Sequence, residues 1–305
     1  MNDSPQEFRS GFVAVLGRPN VGKSTLINAL LGQKIAAVSP KAQTTRRNQL
    51  GILTQENAQI IFTDTPGLHK ERNKLGALMN HEALQALEDV DLVLFVVDAS
   101  NSPQAEDRAL ADKITKTKNI GPVILVLNKA DILDPLLLER RQNSYRSLLD
   151  HDLEMAVSAI NGSGLPELLQ EIIQRLPEGP AFYPEDQVTD LYERQIAADL
   201  IREAALNKLQ DEIPHGIAVR MDDYVERGEK GALIEATLFV ERESHKAIVI
   251  GEGGKMVKAI GKAARLEIES MSGRKVFLRL RVKVRKNWRD DENVLSRFGY
   301  QKRKS

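Results

Sequence analysis

The residues with the clearest chemical potential form a glycine-rich run near the N-terminus that ends in lysine and serine. Residues 17–24 fit the pattern G-x-x-x-x-G-K-[ST], between a predicted strand and a predicted helix. In such a loop, successive backbone N–H groups and the positive end of the helix face one anion. The predicted phosphate loop consists of Gly17, Arg18, Pro19, Asn20, Val21, Gly22, Lys23 and Ser24. We expect Lys23 to reach the β- and γ-phosphate oxygens and Ser24 to bind Mg²⁺.

A second candidate segment follows a predicted buried strand and consists of Asp64, Thr65, Pro66, Gly67 and Leu68. At the carboxyl edge of the sheet, Asp64 can hold Mg²⁺ through water, and the Gly67 N–H can contact the γ-phosphate. Ras-like enzymes carry a water-orienting glutamine directly after this glycine, where this chain has Leu68. Because leucine neither donates nor accepts a hydrogen bond, we expect slow intrinsic hydrolysis. Assistance could come from a partner, a backbone group of the switch loop, or a monovalent cation such as K⁺ near Asn20.

Two further segments at predicted strand ends indicate which base is bound. Asp131 can accept hydrogen bonds from guanine N1–H and the 2-amino group, a pattern that adenine lacks. Asn128 is expected to brace the loops, and the aliphatic stem of Lys129 to lie over the base. Around Ser158 and Ala159, a backbone N–H is expected to meet guanine O6. Together with the phosphate loop, these segments predict a guanine-nucleotide site for GTP and GDP.

The loop between the first helix and the next strand carries two adjacent threonines, Thr44 and Thr45. One of them should bind Mg²⁺ and sense the γ-phosphate, ordered with the triphosphate and released after hydrolysis. The sequence leaves the choice open, with a slight preference for Thr45, which gives a metal set of Ser24, Thr45 and Asp64. The catalytic candidates are Lys23, Thr44, Thr45, Asp64 and Gly67.

Strands and helices alternate over residues 8–176, which predicts an α/β P-loop domain with a mostly parallel, doubly wound sheet. The segment 49–54 directly precedes the next strand and is expected to be an antiparallel edge strand. Residues 177–187 are rich in proline and predict a semi-rigid linker. The order of elements then changes to an α+β domain over 188–286, and residues 287–305 have the weak periodicity of a tail.

The net charge of the chain is zero, but the charges are unevenly distributed. Residues 241–305 hold 18 Lys+Arg and 8 Asp+Glu, a net charge of +10, so the remainder carries −10. Such asymmetry predicts a nucleic-acid or membrane partner for the basic part. The absence of cysteine excludes disulfides and thiolate metal sites. Neither a long apolar run nor a secretory signal is evident, which favours a cytoplasmic location.

The basic part contains a GxxG loop that enters a helix rich in lysine. Such a loop resembles that of the KH module, which clamps a nucleic-acid backbone, and the surrounding order of elements resembles the type II arrangement. The predicted RNA-binding residues are Gly251, Glu252, Gly253, Gly254, Lys255, Lys258, Lys262, Arg265, Arg279 and Lys283. Glu252 stands where KH loops usually carry a basic residue and should weaken binding unless it points into solvent.

A GTP-binding domain followed by a type II KH domain resembles the Era GTPase family over residues 8–300. The segments that carry this resemblance include GRPNVGKS, QTTR, DTPGLH, NKAD and IGEGGKMVKAIG. The resemblance implies binding to the 3′ end of small-subunit (16S) ribosomal RNA and assistance to maturation of the 30S subunit. It also implies that GTP favours RNA binding, that RNA stimulates hydrolysis, and that the protein associates peripherally with the inner face of the cell membrane. We expect a monomer.

Two alternatives remain open from the sequence. One is a related tandem-domain GTPase of the Der type, against which the single nucleotide domain and the GxxG loop argue. The other is a non-enzymatic, nucleotide-gated RNA-binding adaptor, an interpretation that Leu68 permits.

Overall fold

The computed structural model describes residues 7–39, 41, 44–68, 73–88, 90–227 and 231–300. The chain divides into two compact units. The first comprises Met1–Ala36, Thr45–Lys70 and Met79–Asp190. The second comprises Ala37–Thr44, Glu71–Leu78 and Leu191–Ser305. The loop that holds the two candidate threonines is therefore divided between the units, with Thr44 in the second and Thr45 in the first.

A six-stranded sheet in the order β2-β3-β1-β4-β5-β6 forms the centre of the first unit. The strands are β1 (Arg9–Leu16), β2 (Gln49–Gln55), β3 (Ala58–Asp64), β4 (Leu92–Asp98), β5 (Val123–Asn128) and β6 (Leu153–Ala156). All neighbouring pairs are parallel except β2 with β3, which confirms the predicted antiparallel edge strand. The alternating helices are α1 (Lys23–Leu31), α2 (Lys74–Gln85), α3 (Ala105–Lys116), α4 (Pro135–Arg146) and α5 (Leu165–Arg175). Of these, α2 is divided between the units after Leu78.

Alternate residues of each strand are buried on opposite faces of this sheet. In β1, Val13 and Val15 join one core cluster, and Ala14 and Leu16 join the other. Successive strand residues point to opposite faces, and a parallel sheet is covered by helices on both. Every residue of β4 is accordingly buried. The predicted doubly wound α/β domain is confirmed.

Parallel strands bring the candidate segments to one edge of the sheet. Val15 is in register with Asp64, and Asp98 with Asn128. The loops after β1, β3, β4 and β5 therefore begin at neighbouring strand ends, where open α/β sheets bind their ligands.

The proline-rich segment that the sequence predicts to be a linker packs against the first unit. Gln59 of β3 is fully buried. Its Oε1 accepts hydrogen bonds from the N–H groups of Phe182 and Tyr183, and its Nε2 donates to the Tyr183 carbonyl. The ring of Phe182 meets that of Phe12 edge-on, with centroids 5.1 Å apart. A side chain thus fixes this segment along the sheet, a long-range contact that composition does not reveal.

The second unit contains a three-stranded sheet in the order β7-β8-β9, with β7 antiparallel and β9 parallel to the central strand. Its elements are α6 (Glu193–Lys208), β7 (Ala218–Glu226), β8 (Ala232–Val240), α7 (Glu243–Ile250), α8 (Lys255–Ser272), β9 (Val276–Val284) and α9 (Glu292–Arg297). Apolar residues of α6 and α8 pack with those of one sheet face in a single core. The predicted α+β domain of the KH type is confirmed.

The structure differs from the sequence expectation after residue 286. Trp288 is fully buried, and its indole N–H donates to the Gly216 carbonyl at 2.9 Å. Phe298 contacts Trp288 and Phe239 of β8, with centroids 5.6 and 4.8 Å apart. Residues 287–300 are therefore part of the second unit, because two aromatic rings anchor a segment whose periodicity is too weak to indicate structure. No helix among the described residues combines the length and the apolar character that a membrane span needs.

Candidate nucleotide and nucleic-acid sites

The phosphate loop joins β1 to α1 and is held in shape by buried backbone contacts. Lys23 is 6% exposed, and its ammonium donates to the Gly17 and Arg18 carbonyls at 3.0 and 3.2 Å. Burial lowers the pKa of Lys23 to about 8, with Asp64 opposing the shift and Arg18 adding to it. Gly22 has φ +99°, and a Cβ there would lie 2.3 Å from Asn128 Nδ2. Position 22 thus needs glycine, because its φ is positive and because Asn128 leaves no room for a Cβ.

Three oxygen-bearing side chains meet at the start of α1. Ser24 Oγ lies 2.7 Å from Asp64 Oδ2 and 2.9 Å from Thr45 Oγ1, and Thr45 Oγ1 lies 3.1 Å from Asp64 Oδ2. Asp64 is almost fully buried. Hydroxyl and carboxylate oxygens are the donors that Mg²⁺ prefers, so this set fits the predicted metal. The Thr44 hydroxyl donates instead to the Lys41 carbonyl. The structure therefore places Thr45, and not Thr44, beside the other two candidate ligands.

The loops of the base-binding side are braced as predicted, with one carboxylate that sequence reasoning missed. Asn128 donates to the Val21 carbonyl at 2.8 Å and accepts from the Ala159 N–H at 3.0 Å. Lys129 donates to the Asn20 carbonyl and pairs with Asp98 at 2.7 Å. Burial tends to raise the pKa of Asp98, but hydrogen bonds from Lys129 and Ser100 outweigh it and leave the pKa below its usual value. The position of Asp98 at the carboxyl end of β4 is the signal that could have found it.

The side chain of Arg18 is also engaged within the protein. Its guanidinium lies 3.6 Å from Asp98 and 3.3 Å from Asp107 of α3. Burial raises the pKa of Asp107, although the hydrogen bond from Gln104 and the charge of Arg18 oppose the shift. Arg18 thus ties the phosphate loop to β4 and α3. Its contribution to a nucleotide site stays a prediction.

Other predicted nucleotide residues have their side chains in the core. Val21 is fully buried in the cluster on one sheet face. The Thr65 hydroxyl, also buried, donates to the Val15 carbonyl at 2.7 Å. Leu68 is 6% exposed and packs in the cluster on the other face. Their binding of the nucleotide stays a prediction, and with buried side chains it would have to be made by backbone atoms.

Contacts to the base remain a prediction at two points. Asp131 is exposed in the short helical turn Ala130–Ile132, directly after β5. The N–H groups expected to meet guanine O6 already have partners: that of Ser158 donates to the Ser163 carbonyl, and that of Ala159 to Asn128. A contact of O6 with either N–H would therefore share that N–H between two acceptors.

The segment before Thr45 is held by α6, a contact that the sequence did not indicate. Glu203 and Arg202 are largely buried in this helix. Glu203 accepts from the Val38 N–H at 3.1 Å, and Arg202 donates to the Thr44 carbonyl. Lys41 donates to the Leu209 carbonyl at the end of the helix. The available signal was the adjacent pair Arg202 and Glu203, which stands between the apolar pairs 200–201 and 204–205.

The GxxG loop leads into α8, which forms one wall of a groove in the second unit. Gly253 has φ +59°, and a Cβ there would meet no atom within 4 Å. Lys258, Lys262 and Arg265 of α8 line a cavity of about 330 Å³, and its opposite wall is formed by Leu278 and Leu280 of β9. Three predicted RNA-binding residues are thus brought together along one groove.

The remaining predicted RNA residues lie elsewhere. The Glu252 side chain is 92% exposed and lies 3.7 Å from that of Lys255, so it points into solvent. Arg279 and Lys283 alternate with the groove-lining leucines of β9, and Arg279 pairs with Glu235 of β8 at 2.7 Å. A strand of period 2 directs them to the sheet face opposite Leu278 and Leu280, and their contact with RNA stays a prediction.

The fold and the two sites define a P-loop GTPase with an appended KH domain. The family model described as 50S ribosome-binding GTPase matches residues 12–129, and the KH domain model matches residues 212–289. GTPase Era of Ruminiclostridium cellulolyticum is 44% identical over 98% of this chain and 99% of its own length. That of Caldicellulosiruptor saccharolyticus is 47% identical over 96% and 98%. The chain belongs to the Era family and is a GTP hydrolase.

Solved Era structures have the same architecture over the full chain. Era in complex with MgGDPNP and nucleotides 1506–1542 of 16S ribosomal RNA is 40% identical, with a TM-score of 0.89 over 96% of this chain and 99% of its own. A variant of Aquifex aeolicus Era bound to GDP and aluminium fluoride is 39% identical, also with a TM-score of 0.89 and the same coverage. Near-full-length agreement with Era sets aside the Der-type alternative, and membership of a family of GTP hydrolases sets aside the non-enzymatic adaptor.

Proposed function

We propose that this chain binds GTP or GDP with Mg²⁺ at the carboxyl edge of the first sheet. The observation that carries the proposal is the convergence of Ser24, Thr45 and Asp64 within 3.1 Å of one another, close to the buried ammonium of Lys23. When bound, Mg²⁺ would neutralise charge on the β- and γ-phosphates. Lys23 would exchange the carbonyls of Gly17 and Arg18 for phosphate oxygens, and Asp131 would select guanine.

We infer that intrinsic hydrolysis is slow. The position that carries a water-orienting glutamine in Ras-like enzymes is Leu68, and its side chain lies in the core. Water must therefore be ordered by a backbone group of the switch loop, by K⁺ near Asn20, or by a bound partner. Phosphate release measured in Na⁺, in K⁺ and with RNA distinguishes these sources. A fast rate in Na⁺ with nothing added would contradict this part of the proposal.

We further propose that the second unit binds the 3′ end of small-subunit ribosomal RNA and that the protein assists maturation of the 30S subunit. The supporting observation is the row formed by Lys258, Lys262 and Arg265 in a groove next to the GxxG loop. A GxxG module clamps about four nucleotides by their backbone. The related Era structure contains nucleotides 1506–1542 of 16S ribosomal RNA, which gives the RNA to use as a probe.

The chain around the two threonines supplies a route by which nucleotide state could affect RNA binding. The Thr45 hydroxyl is within hydrogen-bond distance of Ser24 and Asp64, and the carbonyl of the preceding Thr44 accepts a hydrogen bond from Arg202 of α6. We propose that the γ-phosphate, by ordering Thr45, biases the position of the segment that α6 holds, so that GTP favours RNA binding and RNA stimulates hydrolysis.

Reciprocal titrations test this coupling. If GTP tightens RNA binding by a given factor, RNA must tighten GTP binding by the same factor. The design uses a non-hydrolysable GTP analogue, GDP, and the 1506–1542 fragment. Equal affinities of RNA for the two nucleotide states would contradict the proposed switch, and no RNA binding in either state would contradict the RNA function itself.

The resemblance to Era proteins also supports proposals about location and assembly. We propose a cytoplasmic monomer that associates peripherally with the inner face of the cell membrane. Sedimentation equilibrium tests the oligomeric state, and flotation with anionic vesicles tests the membrane association.

A further inference from the structure

A second cavity of about 520 Å³ lies in the second unit, beside the start of β9. Its lining includes Phe277 of β9 and Leu233 of β8, together with Arg265 and Glu269 of α8. The Phe277 side chain is 61% exposed, although large aromatic side chains are usually buried. Among the large apolar residues of β7, β8 and β9, Phe277 is the most exposed, and the exposed ring calls for an explanation.

Phe277 belongs to an apolar row that crosses the outer face of the sheet. It is in register with Leu233 of β8, which is in register with Val225 of β7. Val225 is also exposed, at 39%. An aromatic ring on a sheet surface beside other apolar side chains provides a flat platform that can stack on a base.

Charges around the cavity favour a polyanion as its occupant. Arg227, Arg265 and Lys275 line it and contribute positive charge. Arg279 also lines it but is paired with Glu235 at 2.7 Å. The acidic Glu269 accepts the Val276 N–H at 2.9 Å, so it is engaged in holding the start of β9. Proteins bind single-stranded nucleic acid on surfaces that combine an aromatic ring for stacking with surrounding positive charge.

The second cavity continues the groove next to the GxxG loop, because Arg265 lines both. From Lys255 to Arg265, α8 rises about 15 Å at 1.5 Å per residue. A stacked strand advances about 3.4 Å per nucleotide, so this length corresponds to roughly four nucleotides. A GxxG module also clamps four nucleotides, so the second cavity begins where the clamped segment ends.

We propose that the cavity beside Phe277 is a stacking site for one further base of single-stranded RNA, adjoining the GxxG groove. This inference rests on the proposed RNA binding and extends it. The bound nucleotide would stack its base on Phe277, and Arg265 and Lys275 would contact its phosphates. Stacking on an aromatic ring tolerates every base, so the site adds affinity and length to the recognised segment rather than base specificity.

The test uses the full chain and the 1506–1542 fragment, with 2-aminopurine substituted at one position at a time. Phe277→Ala and Phe277→Leu should weaken binding roughly 5- to 100-fold and abolish the fluorescence quenching at one position, whereas Phe277→Trp should retain both. The leucine variant keeps apolar area without a ring and so separates stacking from simple burial. Leu266→Ala is the matched control, since Leu266 is 50% exposed on α8 and lines neither cavity.

Salt dependence provides a second readout. Because Phe277 carries no charge, Phe277→Ala should leave the slope of log affinity against log salt unchanged, whereas Lys275→Ala should reduce its magnitude by about 0.7. If Phe277→Leu binds RNA as the wild type does while Lys258→Ala weakens it, the stacking site is wrong and the apolar row belongs to a protein contact. If the wild type itself fails to bind, the proposed RNA function fails first.

Discussion

The two glycine-rich loops of this chain each open a helix, but their surroundings are opposite. At the first loop, Lys23 is buried and donates to the Gly17 carbonyl, and the amide of Asn128 leaves no room for a Cβ at Gly22. Around Gly253, there is open space, and the neighbouring Glu252 and Lys255 side chains are more than four-fifths exposed. The first loop is suited to hold one small ligand by fixed geometry, and the second to follow a long polyanion by charge. Substitutions should therefore act abruptly at the first loop and gradually at the second.

The largest effect is expected for Lys23→Ala. It removes a buried cation from the place where charge develops on the transferred phosphoryl group, so turnover should fall roughly 100- to 1,000-fold. Multiple-turnover phosphate release measures this loss, with Lys116→Ala on the exposed end of α3 as the control. A loss of less than tenfold would show that the ammonium is not aimed at the phosphates.

Alanine at Gly22 and at Gly253 makes the comparison directly. Gly22→Ala introduces a Cβ 2.3 Å from Asn128 Nδ2 at φ +99°. The left-handed backbone should cost ~1–2 kcal/mol of stability, and the displaced Asn128 should lower GTP affinity at least about tenfold. Gly253→Ala, at φ +59° with no atom within 4 Å of the new Cβ, should be destabilised only by that backbone strain and should keep its GTP affinity. Urea unfolding measures the stability of each variant, and the fluorescence of a labelled GDP measures its nucleotide affinity. Equal effects on GTP affinity would remove the distinction between the loops.

A smaller, graded effect is expected for Lys258→Ala in the RNA groove. RNA affinity should fall several-fold, and the salt slope should lose about 0.7, since one phosphate contact is removed from a single strand. GTP hydrolysis without RNA should be unchanged. Fluorescence anisotropy at several salt concentrations provides the slope, and a slope equal to that of the wild type would place Lys258 outside the interface.

The smallest effect is expected for Glu252→Gln. The carboxylate is 92% exposed and 3.7 Å from Lys255, and exposed pairs contribute little. RNA affinity should rise by less than about threefold, with a slightly steeper salt dependence. An increase of tenfold or more would mean that Glu252 faces the RNA backbone, and the charge of this loop would then limit binding.

Motif order and strand alternation were sufficient to predict the sheet of the first unit, its antiparallel edge and the segments at its carboxyl ends. They were not sufficient to decide which motif residues face the ligand. Thr65 and Leu68 belong to the DTPG segment, yet the structure buries both side chains. In β9, strand alternation separates Arg279 from Leu278 and Leu280, but it does not say which of the two faces binds RNA.

The sequence by itself determined the class of fold, the order of both units and the two glycine loops, because these depend on local patterns of period 2 and 3.6 and on short motifs. Only the tertiary structure decided that Thr45 rather than Thr44 joins Ser24 and Asp64, that Trp288 anchors the C-terminal segment, and that Phe277 lies exposed beside a basic cavity. Each of these depends on residues far apart in the chain meeting in space, and no local pattern records which pairs meet.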